Sequence, residues 1–191
     1  MSGREIAIAS GDGSFLGYRA TPPSGSGRGI IVIQEIFGIN QGMQQRCGDF
    51  AAQEYVALAP DLFWRQEPGI PLAGQSVADW ARAFKPFHGF VLDKGVDDLK
   101  APLDHLRGLS GCTGKAGCVG FCLGGKLARL VACRSSIDAA VRCYGVYVQD
   151  YTAKAANIRP PLSCCTLLRR MRLFRRRHRR LSLMVFGTIP R

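Results

Sequence analysis

The sequence predicts an α/β fold, a largely parallel sheet with helices on both faces and a site at its carboxyl edge. Three observations carry that expectation. Continuous apolar runs at residues 30–33, 55–59 and 116–121 have the composition of strands buried on both faces. The stretches between several of these runs place apolar residues at helical spacing. Two reactive side chains, Glu35 and Cys122, stand where two of the runs end.

Composition narrows the class. The chain has 191 residues, 47% of them hydrophobic and 9% aromatic, which suits one domain with its own core. No run approaches the roughly 20 apolar residues of a membrane span. The start, MSGREIAIAS, carries an acid and too short an apolar stretch for a leader, so a cytoplasmic protein is expected. Eight cysteines are scattered without a regular framework, which points to free thiols in a reducing compartment. The net charge of +12 is unevenly placed. Residues 1–158 hold 16 of the 26 Lys and Arg and all 14 acids, whereas residues 159–191 hold ten Arg and no acid.

Taken in order, residues 5–10 and 15–21 read as an antiparallel pair turning at Gly11-Asp12-Gly13. The linker TPPSGSGRG delivers the chain to the Ile30–Ile33 strand, which ends at Glu35. Met43, Cys47, Phe50 and Ala51 mark a helix over residues 42–53, and the next strand, residues 55–59, is closed by Pro60-Asp61. Residues 63–71 are loop. Helices are expected over residues 77–84 and 96–109, with Pro102 in the first turns of the second or kinking it. Residues 111–114 turn into the strand 116–121. A helix over residues 126–133 and a strand over residues 139–147 follow.

The stretch AGCVGFCLGGK, residues 116–126, has the spacing of a nucleophile elbow: Gly120, then Cys122, then Gly124 and Gly125. Small residues flanking the central position allow a strained strand-to-helix turn that exposes its side chain. The helix N-terminus favours a thiolate there, and the N–H of Leu123 points where an oxyanion forms. A small buried cysteine in a tight turn is the alternative. For Glu35 the alternative is a solvated residue at a strand end.

Several ordered blocks resemble the dienelactone hydrolase family: residues 33–40 (IQEIFGIN), 55–63 (YVALAPDLF), 94–99 (KGVDDL), 120–125 (GFCLGG) and 144–146 (YGV). The resemblance runs from about residue 3 to residue 161. It implies an α/β-hydrolase fold and the opening of small lactone or carboxylic esters by a Cys-His-Asp triad, with no metal or organic cofactor. Cys122 resembles the nucleophile, and Glu35 the carboxylate that meets the resting thiol and helps form the thiolate when substrate arrives. The N–H groups of Ile36 and Leu123 resemble the oxyanion hole. Arg82 lies in the segment of the family's substrate-carboxylate arginine, although ungapped counting puts Trp80 nearest that position; an exposed helix residue is its other reading.

After Pro161 the resemblance stops, before the triad aspartate and histidine. No acid follows Asp150, and His88, His105 and His178 lie outside any matching context. With permitted codons chosen from Leu162 onward, a reading two bases later gives LLLHIAAEDAFVPPE, the continuation the resemblance implies. The expectation is therefore an incomplete α/β domain over residues 1–161 and a frameshifted, disordered Arg-rich tail over residues 162–191, with impaired catalysis. Its partner is a small ester or lactone, with no membrane and no specific nucleic acid. Eight Arg between Arg169 and Arg180 could bind polyanions non-specifically, and a pocket-retaining protein without chemistry is the remaining reading.

Overall fold

The computed structural model describes residues 3–145 together with the backbone of residues 162–165. The elements are β1 (Gly3–Ser10), β2 (Gly13–Ala20), β3 (Gly27–Ile33), α1 (Gln41–Ala51), β4 (Tyr55–Pro60), α2 (Val77–His88), α3 (Leu92–Asp98), α4 (Lys100–Gly108), β5 (Cys112–Phe121), α5 (Leu123–Arg134), β6 (Ala139–Cys143) and β7 (Leu162–Cys165). They build one seven-stranded sheet in the order β1-β2-β4-β3-β5-β6-β7. The hairpin β1–β2 and the β2–β4 pair are antiparallel, and the pairs from β4 through β7 are parallel. The expected largely parallel α/β sheet is present.

Hydrophobic burial explains why each strand lies where it does. Ile30, Ile31, Val32 and Ile33 are fully buried, and their side chains divide between the two faces of the sheet. Ile31 and Ile33 pack with Leu103, Leu106, Leu127 and Val131 on one face. Ile30 and Val32 pack with Met43, Cys47 and Ala51 of α1 on the other. At α1's start, the Asn40 side chain accepts a hydrogen bond from the Met43 N–H at 3.1 Å and donates to the Leu72 carbonyl at 2.7 Å. One residue thus caps the helix and ties down the loop after β4.

The strand expected over residues 139–147 ends at Cys143, and three further boundaries differ from the sequence reading for local reasons. The helix expected over residues 96–109 is two helices broken at Leu99. Pro102 has no N–H for the Asp98 carbonyl, and its ring crowds that position, which favours a break one turn earlier. The strand before the elbow begins at Cys112, where a turn had been expected, because its early residues extend the pairing with β3. The helix α2 runs one turn past Phe84 and carries Pro86 within it. The last strand, β7, lies just beyond the expected domain boundary at residue 161 and pairs parallel to β6. The rest of the Arg-rich tail, with His178, is outside the described residues.

The loop after β4 is clamped from two sides. Asp61 accepts from the N–H groups of Phe63 (2.9 Å) and Gly69 (2.7 Å). Arg65 stacks on Trp64, with 4.1 Å from its guanidinium carbon to the ring centroid, and pairs with Asp98 at 2.7 Å and Asp12 at 2.8 Å. The Trp64 indole N–H donates to Asp98 at 2.9 Å. Among the described residues, no helix is long and apolar enough to cross a membrane.

Burial leaves a pH signature. It pushes the thiols of Cys47 and Cys118 up to about 12, well above their ordinary value, and the N–H groups of Ala59 and Val141 only partly offset it. The unfolded chain releases these protons at lower pH than the folded one, so stability is full below about pH 8.5 and falls as pH rises toward 12. Thermal unfolding followed between pH 8 and 11 is expected to show a falling midpoint, with a shallower slope in Cys47→Ala; an unchanged slope in that variant refutes the assignment.

Candidate active site

The order of the strands decides where reactive groups can meet. The chain leaves β3 toward β4 on one side and leaves β5 toward β6 on the other, with α1 and α5 packing on opposite faces. The crevice between the carboxyl ends of β3 and β5 is therefore a topological switch point. Ile33 pairs with Gly120 in the β3–β5 register. Glu35 and Cys122 each lie two residues beyond that pair, at the same level of the sheet. The structure brings together the two side chains that the sequence singled out.

Cys122 occupies an elbow whose backbone no ordinary turn residue would choose. Its φ is 53° and its ψ is −112°, a left-handed conformation that strains a side-chain-bearing residue. Hydrogen bonds hold it there: the Cys122 N–H donates to the Cys143 carbonyl at 3.1 Å, and the Gly124 N–H donates to the Gln34 carbonyl at 3.1 Å. The glycines are required by contact. A Cβ on Gly120 would sit 1.9 Å from the Gly124 carbonyl oxygen, one on Gly124 would sit 2.3 Å from that of Ile33, and one on Gly125 would sit 2.7 Å from that of Cys143. The elbow is wedged between the ends of β3 and β6.

The electrostatics of the thiol set opposing influences against each other. A helix N-terminus was expected to favour the thiolate, yet the thiol is pushed up to about 11, first by burial and then by the negative charge of Glu35. The Leu123 N–H donates to the sulfur and opposes the shift without overcoming it. The surroundings thus favour the neutral thiol over the thiolate.

Glu35 itself is held by residues that the sequence reading did not assign. The Tyr144 hydroxyl donates to its Oε1 at 3.1 Å, and an Arg46 terminal nitrogen lies 4.0 Å from its Oε2. Burial and the charge of Glu35 drive the Tyr144 hydroxyl's pKa upward, which keeps it a donor. Tyr144 has φ 39°, a conformation that no residue pattern announces for a tyrosine. The available signals were its place one residue past β6 and, for Arg46, its place on α1 beside the buried Met43 and Cys47.

The remaining candidates fall elsewhere. Ile36 is buried at the start of the turn after Glu35, and Leu123 is the first residue of α5. Arg82 is exposed and pairs with Glu67 of the loop. Trp80 packs edge-on against Phe37 at 4.9 Å, next to the Glu35 turn. The His88 ring stacks on Phe84 at 5.6 Å. His105 lines a cleft of about 600 Å³ beside Asp12 and Asp104, to which neither Cys122 nor Glu35 contributes. Among the described residues, no group of His, Cys, Asp and Glu could hold a metal ion.

The chain resembles known proteins over most of its length. Residues 15–166 match the model of the dienelactone hydrolase family. A protein of Azospirillum brasilense, provisionally named a carboxymethylenebutenolidase, is 42% identical over 161 residues, covering 83% of this chain and 69% of its own. The carboxymethylenebutenolidase of Pseudomonas putida is 38% identical over 157 residues, covering 82% of this chain and 66% of its own. The chain thus spans about two thirds of the length of these curated relatives. A solved structure from Klebsiella pneumoniae, provisionally titled a dienelactone hydrolase, superposes with a TM-score of 0.73 at 20% identity, over 98% of this chain and 99% of its own.

Two outcomes test this geometry. With the thiol near 11, only about one molecule in 10⁴ is a thiolate at pH 7. Iodoacetamide labelling of Cys122, read by peptide mass spectrometry, is expected to rise about tenfold per pH unit from pH 7 to 10; a plateau near pH 8.5 contradicts the masked thiol. Gly124→Ala is expected to cost about 2 kcal/mol in urea unfolding, because the added carbon meets backbone rather than a movable side chain.

Proposed function

The chain belongs to the dienelactone hydrolase family, and from that membership we propose that Cys122 is the nucleophile of a hydrolase acting on small lactones or carboxylic esters. The observation that carries the proposal is the strained elbow, which puts a thiol beside a carboxylate at the sheet's switch point. Strain at one cysteine, maintained by three glycines with no room for a Cβ, is hard to account for by packing alone.

The steps follow from the groups present. Glu35 accepts the Cys122 proton, and the sulfur attacks the ester carbonyl, forming the S–C bond while the carbonyl electron pair moves onto oxygen. The N–H groups of Ile36 and Leu123 are assigned to that oxyanion. Collapse breaks the ester C–O bond, and the leaving alkoxide takes the proton back; in a lactone it stays tethered to the acyl group. Water then hydrolyses the thioester. No metal or organic cofactor takes part in this sequence, and a cytoplasmic setting suits the free thiols.

The weak half of the cycle is the second. His88 is engaged with Phe84 and His105 lines another cleft, so neither is assigned as the base for water. General-base help is worth about 10²- to 10⁴-fold, and its lack impairs turnover by that order. The triad aspartate and histidine are proposed to lie in the alternative reading frame after Pro161. Arg82, tied to Glu67, is not proposed as a substrate ligand. Residues 1–161 with β7 make up the catalytic domain in this reading, and residues 166–191 are an unrelated basic extension.

The test is an acylation assay. Incubation with p-nitrophenyl acetate is expected to add one acetyl group at Cys122, with release of about one equivalent of nitrophenolate followed by a slow phase. Cys122→Ala removes both; nitrophenolate release that survives this substitution refutes Cys122 as nucleophile. Shifting the coding frame after Pro161 by the two bases is expected to raise the slow phase by about 10²-fold or more.

A further inference from the structure

Arg46 is the cation whose placement beside this chemistry nothing above explains. It lies on α1, between Met43 and Cys47, and its side chain crosses from that helix to the sheet's carboxyl end. Its guanidinium carbon sits 4.7 Å from the centroid of Phe121, the residue immediately before the nucleophile. One terminal nitrogen contacts the Met43 sulfur at 3.5 Å, and the other faces Glu35 at 4.0 Å. The Arg46 and Glu35 side chains are only 17% and 23% exposed, so water screens their attraction incompletely.

We propose that Arg46 is a positioning residue that serves as the counter-ion of Glu35, holding its carboxylate beside the Cys122 thiol and so setting how readily that thiol ionises. This inference rests on the reading of Cys122 as nucleophile. A half-buried carboxylate next to a sulfur that must become an anion brings two negative charges into one crevice. A guanidinium fixed by an aromatic ring offsets one of them and keeps its direction. The opposite oxygen of Glu35 is held by the Tyr144 hydroxyl, so the carboxylate is gripped from α1 on one side and from the end of β6 on the other. Among the described residues, the titratable groups around this centre are Glu35 after β3, Arg46 and Cys47 on α1, Cys122 at the elbow, and Cys143 and Tyr144 at β6.

Arg46 acts on the sulfur through Glu35, which dictates the experiment. In the full chain, Cys122 alkylation by iodoacetamide is measured from pH 7 to 11. Arg46→Met, which keeps the packing on Phe121 and drops the charge, is expected to slow labelling about tenfold at each pH below the midpoint, equivalent to one pKa unit. Arg46→Lys, which keeps the charge, is expected to stay within about threefold of the parent. In a Glu35→Gln background the Arg46→Met effect is expected to shrink below about twofold, since the group it compensates is gone. An unchanged profile in Arg46→Met overturns the proposal, as does an equal slowing in both backgrounds. Arg46→Gln carries the same comparison if Arg46→Met does not fold. The same samples exposed to p-nitrophenyl acetate keep the two readings apart: a parent chain whose Cys122 labels but never acetylates refutes the hydrolase reading, while the titration still decides the role of Arg46.

Discussion

Everything at the carboxyl edge depends on how closely the start of α5 can approach the ends of β3 and β6. Two backbone hydrogen bonds, from Cys122 to Cys143 and from Gly124 to Gln34, draw the elbow into the sheet. The absence of side chains at Gly120, Gly124 and Gly125 is what makes that distance attainable. Gln34 shows how tightly the region is coupled. It is fully buried, its carbonyl receives the Gly124 N–H, its side-chain oxygen accepts from the Leu62 N–H at 3.3 Å, and the next residue is Glu35. A shift of the elbow therefore moves the acid's strand end and the loop after β4 together.

That tight seating has an electrostatic consequence. Seating the thiol beside Glu35 also buries it and exposes it to a negative charge, and both effects favour the neutral sulfur. The neutral thiol is thereby favoured; the Leu123 N–H opposes that at the sulfur itself, while Arg46 and Tyr144 both contact the carboxylate. Reactivity in this arrangement is a property of the set, since each member changes the charge that the others experience.

Much of this was legible in the sequence because its signals are local. Four consecutive β-branched residues before Glu35 specify a strand buried on both faces, and Gly120, Cys122, Gly124 and Gly125 specify a tight strand-to-helix turn. The split of residues 92–108 into two helices was half legible: Pro102 announced an interruption, and only the packed structure places the break at Leu99. Arg46 and Tyr144 were not legible as site residues, since each reaches Glu35 from a different element. Arg46 is 11 positions away along the chain and Tyr144 is 109. The balance of influences on Cys122 was only partly legible for a related reason. A helix N-terminus can be read from sequence, whereas the burial and the facing carboxylate that outweigh it arise only when β3 and β5 pair.

The two halves of an acyl-transfer cycle differ in how far along the chain they must reach. The proposed nucleophile, proton acceptor and oxyanion donors, residues 35, 36, 122 and 123, all come from the ends of adjacent strands and are brought level where β3 and β5 pair. In the proposed cycle the base that activates water has no counterpart at these two strand ends among the described residues. His88 and His105, placed on helices by their own packing and directed to Phe84 and to another cleft, show that a histidine within the domain does not become a base by proximity in sequence. Under the proposed mechanism, a chain carrying the strand-end groups alone takes an acyl group faster than it gives one up. The asymmetry follows from topology before any question of substrate arises.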